Sequence, residues 1–169
     1  LTILHKKWQN EDIPFFIKNN QALYFNDFLD IETPDLSKIS KGDIVILIGD
    51  FKPISIITLF KLIELGAIIA PLIDSSEVNK KEKSEIIKAD FIIKEKNVKR
   101  INNKDNVHNL VTMLRQKNNS GLIFFSTGTT GKPKAILHDI TLLFERFNTP
   151  RQAYKTINFL MFDHMGGIN

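Results

Sequence analysis

GLIFFSTGTTGKPKAILH, residues 121–138, is the stretch on which the fold turns. The apolar run Leu122–Phe125 stops abruptly. Of the nine residues Ser126–Lys134, eight are Ser, Thr, Gly or Lys, the ninth is Pro133, and apolar residues then resume. A short continuous apolar run opened by Gly121 reads as a strand buried on both faces. A small, polar, glycine-bearing loop at the carboxyl end of such a strand lies where open α/β sheets hold their ligands.

Working outward, similar runs recur between turn residues: Ile44–Ile48 after Lys41-Gly42-Asp43, Ala67–Leu72 after Gly66, Phe91–Ile93 after Asp90, and Asn158–Phe162. Each is continuous rather than alternating, which predicts strands of a parallel sheet covered on both sides. The segments between them read as helices. Pro53 suits a first helical position, the apolar residues from Ile56 to Leu65 form a wide face, and Gly66 is a stop signal. Glu77–Lys88 predicts a more polar surface helix. Val107, Leu110, Val111 and Leu114 follow helical spacing with Asn106 as the cap, and Asp139 is placed to cap a helix over 140–147. Lys94–Lys104 has few apolar anchors and reads as a loop. The expected class is therefore α/β, a mostly parallel sheet flanked by helices, with the whole of 1–169 in one domain.

Composition narrows the function. The chain has 169 residues, 43% of them hydrophobic, and a net charge of +4. Its lysines are scattered among Glu and Asn with no interleaved aromatic platform, which argues against nucleic acid as a partner. There is no cysteine, so disulfides, thiolate metal sites and a cysteine nucleophile are excluded, and a cytoplasmic setting is expected. Residues 1–10 are polar and do not read as a signal peptide. The most apolar long segment, 54–73, carries Lys61 and Glu64 mid-way, and a charge at a bilayer centre costs about 2.5–3.5 kcal/mol. No membrane span is expected. No His/Asp/Glu cluster has metal-ligand spacing.

The loop itself suits a polyphosphate. Gly128 and Gly131 allow close backbone approach, successive N–H groups can form an anion-holding concavity, and Ser126, Thr127, Thr129 and Thr130 add hydroxyls beside Lys132 and Lys134. It is not a Walker A loop: that pattern needs Gly at position 126 and Ser or Thr after Lys132, where this chain has Ser126 and Pro133. A glycine- and threonine-rich surface turn is the plainer reading of the same residues.

Ser126–His138 closely resembles the phosphate-loop signature of adenylate-forming enzymes, the superfamily of acyl-CoA synthetases, aryl-CoA ligases and peptide-synthetase adenylation domains. It departs only at Ala135, where glycine is usual. Gly42–Ile48, Leu65–Leu72 and Phe159–Gly167 are similar to three further segments of that family, in the same order, so the resemblance runs from about residue 21 to 169. It implies an N-terminal portion of the large AMP-binding domain, part of an ATP-dependent ligase. Such an enzyme makes an acyl-adenylate from a small-molecule carboxylic acid and MgATP, then passes the acyl group to a thiol of CoA or of a phosphopantetheine-bearing acyl carrier protein. It further implies that Ser126, Thr127, Gly128, Thr129, Thr130 and Gly131 hold the β- and γ-phosphates, with Thr130 the foremost hydroxyl. Lys134 would neutralise the leaving pyrophosphate, and Mg²⁺ would arrive with ATP. His164 would stand beside the substrate carboxylate, and Gly166 and Gly167 beside the acyl chain.

From the residues alone, His164 reads equally as a histidine held by Asp163 in a turn, and Gly166 and Gly167 as turn glycines. His138 reads as structural support, and His5 and His108 as surface residues. The family's later motifs, for adenine, ribose and a small mobile domain, do not occur in these 169 residues. The expectation is thus a truncated piece, inactive alone. The alternative is a non-catalytic phosphate-binding or interaction module.

Overall fold

A computed structural model describes residues 14–18, 20–101, 106–127, 131–145 and 160–168. The first elements among the described residues are a small antiparallel hairpin, β1 (Phe16–Lys18) and β2 (Gln21–Leu23), followed by α1 (Phe25–Leu29). Among the described residues the body is a six-stranded sheet. Its strands are β3 (Ile44–Ile48), β4 (Ile68–Leu72), β5 (Phe91–Lys94), β6 (Asn97–Arg100), β7 (Gly121–Thr127) and β8 (Pro133–Asp139). Across the sheet the order is β6-β5-β3-β4-β7-β8. The three inner pairings are parallel, while β6 and β8 close the two edges antiparallel.

All ten residues of β3 and β4 are buried, as their unbroken apolar runs predict. Side chains at alternate positions feed two separate cores. Val45, Leu47, Ile69, Leu122 and Phe124 meet α2 (Pro53–Glu64) and α5 (Ile140–Glu145) on one face. Ile44, Ile46, Ile68, Leu72 and Ile123 meet α3 (Glu77–Ile87) and α4 (Asn109–Gln116) on the other. The result is a three-layer α/β/α arrangement. Pro71 sits inside a central strand, a place proline normally avoids. Its missing N–H is tolerated because β7 is in register with β4 only at Ile68 and Ile69.

Four expectations are corrected. Lys94–Lys104 is not a simple loop, since Asn97–Arg100 forms edge strand β6 against β5; residues 102–105 lie outside the described set. Asn106 is not the cap of α4; His108 is, its Nδ1 accepting from the Leu110 N–H at 3.2 Å. His108 is thus more than a surface residue. No strand forms over Leu160–Phe162, the described part of the run expected at Asn158–Phe162. Beyond these, Pro133–Asp139, for which no strand was expected, forms one.

Candidate phosphate-binding hairpin

The loop of interest tops the β7–β8 hairpin. Chain enters β7 through Asn118, in the left-handed region at φ 59°. A side chain at Gly121 would meet Leu114 Cδ2 at 2.6 Å, so glycine lets α4 lie close over the strand. From there β7 and β8 run paired from Gly121 opposite Asp139 to Thr127 opposite Pro133. A proline tolerates this position because it is the first residue of an edge strand.

Ser126 is directly opposite Lys134. Directly opposed residues of an antiparallel pair project on one face, about 4.5–5.5 Å apart at Cβ. By alternation from Leu122 and Phe124, that face is the one covered by α2 and α5. Gly131 adopts φ 76°, with open space where a side chain would be. This is a left-handed conformation that favours glycine and leaves the backbone approachable. Lys132 and Lys134 are exposed. Gly128, Thr129 and Thr130 lie outside the described residues, as does the side chain of Thr127.

Further along β8, the half-buried ring of His138 packs edge-on to Phe124, with centroids 5.8 Å apart. Burial pushes its pKa below the ordinary histidine value, in keeping with a supporting position rather than a charged one.

The segment 160–168 reaches the same face of the sheet. Phe162 is fully buried and packs at a right angle on Phe51, 5.5 Å between centroids. Met165 and Ile168 of the short helix α6 (Met165–Ile168) join the same core. The His164 N–H donates to the Met161 carbonyl at 3.2 Å, and the Gly167 N–H to the His164 carbonyl at 3.0 Å. The His164 side chain is mostly exposed, its Nε2 3.9 Å from Asp163 Oδ1. That carboxylate oxygen is buried, and among the described residues it accepts no hydrogen bond. A side chain at Gly167 would fall 2.4 Å from the Met161 carbonyl, and one at Gly166 2.9 Å from Leu160 Cδ1. The close approach at Gly167 is therefore made to this chain's own backbone. The fold brings Ser126, Lys134 and the His164 segment to one face of the sheet.

The donor set fits a polyphosphate: hydroxyl, ammonium and glycine backbone, with no carboxylate anywhere in 126–134. A metal accompanying it would be held by phosphate oxygens. Among the described residues no group of three His, Asp or Glu is placed to hold a metal ion. A cleft of about 420 Å³ opens at the other end of the sheet, beside Lys41, Gly66, Asn119 and Phe144. An apolar cavity of about 130 Å³ lies between Leu59, Leu122, Phe144 and Phe162. Among the described residues no helix is long and apolar enough to cross a membrane.

No protein-family model and no curated protein matches the chain. Solved structures do match. The N-terminal subdomain of NpsA from Klebsiella oxytoca, in its P21 crystal form, superposes with a TM-score of 0.52 at 19% identity, covering 80% of this chain and 38% of that one. The same subdomain in complex with 3-hydroxyanthranilyl-AMSN gives 0.48 at 20% identity, covering 70% and 34%. In complex with 3-hydroxybenzoyl-AMSN it gives 0.44 at 24%, covering 60% and 29%. The chain thus spans well under half the length of the solved chains it matches. At these identities what is shared is the fold. An α/β layout of the kind found in an N-terminal subdomain is what the loop motif led one to expect.

Proposed function

We propose that this chain is the phosphate-binding portion of an AMP-forming carboxylate ligase. One observation carries the reading. The two described ends of the signature, Ser126–Thr127 and Pro133–Lys134, pair across a hairpin at the carboxyl end of β7, with Ser126 opposite Lys134.

In this reading the hairpin holds the phosphates of MgATP. A carboxylate oxygen of a small organic acid attacks the α-phosphorus, the bond to the bridging oxygen breaks, and pyrophosphate leaves. A thiol sulfur, from CoA or a carrier-protein phosphopantetheine, then attacks the acyl carbon and AMP departs. Backbone N–H groups of Gly128–Gly131 and the hydroxyls of Ser126, Thr127, Thr129 and Thr130 position the phosphate chain. Lys134 balances the charge that builds on the leaving pyrophosphate, the kind of electrostatic stabilisation a protein supplies best to phosphoryl chemistry. His164, on the same sheet face, donates a hydrogen bond to the incoming carboxylate, and the backbone at Gly166 and Gly167 borders the acyl group. The AMSN ligands of the NpsA subdomain suggest aromatic acids as the first to try.

The test is twofold. Calorimetry on the chain itself is expected to show inorganic pyrophosphate binding that Lys134→Ala weakens. In a full-length enzyme carrying this chain, Lys134→Ala is expected to lower carboxylate-dependent ATP–pyrophosphate exchange by more than about tenfold, the scale of losing one charge-stabilising donor. Unchanged exchange would sink the role given to Lys134. Pyrophosphate binding with no exchange across a broad acid panel would leave a phosphate-binding module in place of a ligase.

A further inference from the structure

The hairpin has a second cationic neighbour that its own sequence does not contain. Lys83, on α3, places its ammonium 5.3 Å from the centre of the Phe125 ring. Phe125 belongs to β7, one residue before Ser126, and faces the α3–α4 side of the sheet. Helix α3 packs against β8, the other arm of the hairpin. It starts just past the carboxyl end of β4 and runs antiparallel to the strands. Helical side chains lean toward their helix's N-terminus, so the Lys83 stem leans toward the carboxyl end of the sheet, where the loop lies. Ser126 and Thr127, the last residues of β7, lead directly from Phe125 toward the loop.

The other lysines of this edge are engaged differently. Lys80 is buried on Asp74 and Glu77, Lys94 bonds Asp74 at 2.7 Å, and Lys96 pairs with Glu32. Lys81, on the outer face of α3, lies 4.0 Å from Glu85. Among the described residues Lys83 has an aromatic ring, and no carboxylate, as its partner. A ring orients an ammonium without neutralising it. The half-buried stem is held while the charge stays available.

We infer that Lys83 is a second phosphate-binding lysine, approaching the hairpin from the face opposite Lys134. The two lysines then bracket a bound polyphosphate, Lys134 on the His164 side and Lys83 beyond it, where the far phosphates of the chain would rest. This inference rests on the reading of the hairpin as a phosphate site.

The experiment uses the chain and inorganic pyrophosphate, with titration calorimetry as the readout. Lys83→Gln is expected to raise Kd about fivefold, the effect of one partly exposed charge pair. Lys83→Arg should restore near-parent affinity, because a guanidinium also stacks on the ring and keeps the charge. Lys81→Gln, two residues away on the same helix, should leave Kd unchanged. Thermal melts of each variant keep a folding defect distinct from a lost contact. If the parent binds, Lys134→Ala weakens binding and Lys83→Gln does not, the role of Lys83 is overturned while the phosphate site stands. If Lys81→Gln weakens binding as much as Lys83→Gln, a diffuse field replaces a specific contact and the inference falls. If the parent does not bind pyrophosphate, the phosphate site itself falls, and Lys83 with it.

Discussion

His138 shows how one side chain can carry both the motif and a stability signature. It stands opposite Leu122 in the hairpin, against the edge of Phe124, and burial lowers its pKa from the ordinary 6.5. In the unfolded chain it would titrate near 6.5. As pH falls through that value the unfolded chain takes up a proton that the folded one resists. The unfolded state then binds more protons, so stability rises with pH across this window and is lost on acidification. The carboxylates act lower down. Asp74 is held below its usual range by hydrogen bonds from Lys94 and Lys80, and Glu32 by its bond to Lys96, so their contribution fades only as pH drops toward and below about 4. Denaturation by urea at a series of pH values is expected to show midpoints falling between pH 6.5 and 5. His138→Gln should flatten that slope while leaving the steeper loss near pH 4. A slope that survives the substitution would mean another group is responsible.

At the scale of elements, the sheet is tied at its centre by a polar clasp. Asp90, just ahead of β5, accepts the Ile44 N–H at 2.8 Å. Arg115 of α4 reaches back to the same carboxylate at 3.8 Å and donates from Nε to the Gly42 carbonyl at 2.9 Å. One carboxylate thereby joins β3, β5 and α4. Asp90→Ala leaves the Ile44 N–H without its acceptor and is expected to cost about 1–3 kcal/mol in urea unfolding. Asp90→Asn, which keeps an acceptor oxygen, should cost less; equal losses would show that the hydrogen bond is not what matters. These elements also show what the sequence discloses. The central strands were legible because burial on both faces demands unbroken apolar runs such as Ile44–Ile48. The edges were not. Strand β6 has one apolar residue, Val98, among Asn97, Lys99 and Arg100, because an edge strand facing water is kept polar. Strand β8 begins with Pro133 and Lys134 and shows only a brief apolar middle. Its pairing is imposed by β7 rather than by its own pattern. The Lys83–Phe125 contact was out of reach for a different reason. It joins residues 42 positions apart, and nothing local to either marks the other.

Across the whole molecule the question is whether the hairpin unfolds with the sheet or apart from it. Its inner half is secured, since Gly121 and Leu122 pair with Ile68 and Ile69 of β4, Gly121 lies under α4, and Leu122 is buried in the core on the other face. Its outer half, Phe124–Thr127, has β8 as its only strand neighbour among the described residues. Phe124 and Phe125 nonetheless send their rings into the two opposite cores. A hairpin pinned to both cores should not open on its own. A ligand that binds its tip in the native state then stabilises the entire domain. At a pyrophosphate concentration of one hundred times Kd the gain is about 2.7 kcal/mol. For a domain of this size each kcal/mol moves Tm by about 2–4 °C, so a rise of about 5–10 °C is expected, accompanied by slower amide exchange across both strands. Lys134→Ala should shrink the rise at the same ligand concentration, because its Kd is higher. If saturating pyrophosphate slows exchange only in Phe124–Thr127 and Pro133–Ile136 while Tm stays fixed, the hairpin is a separate unfolding unit. The coupling of loop to sheet argued from the two phenylalanines would then be wrong.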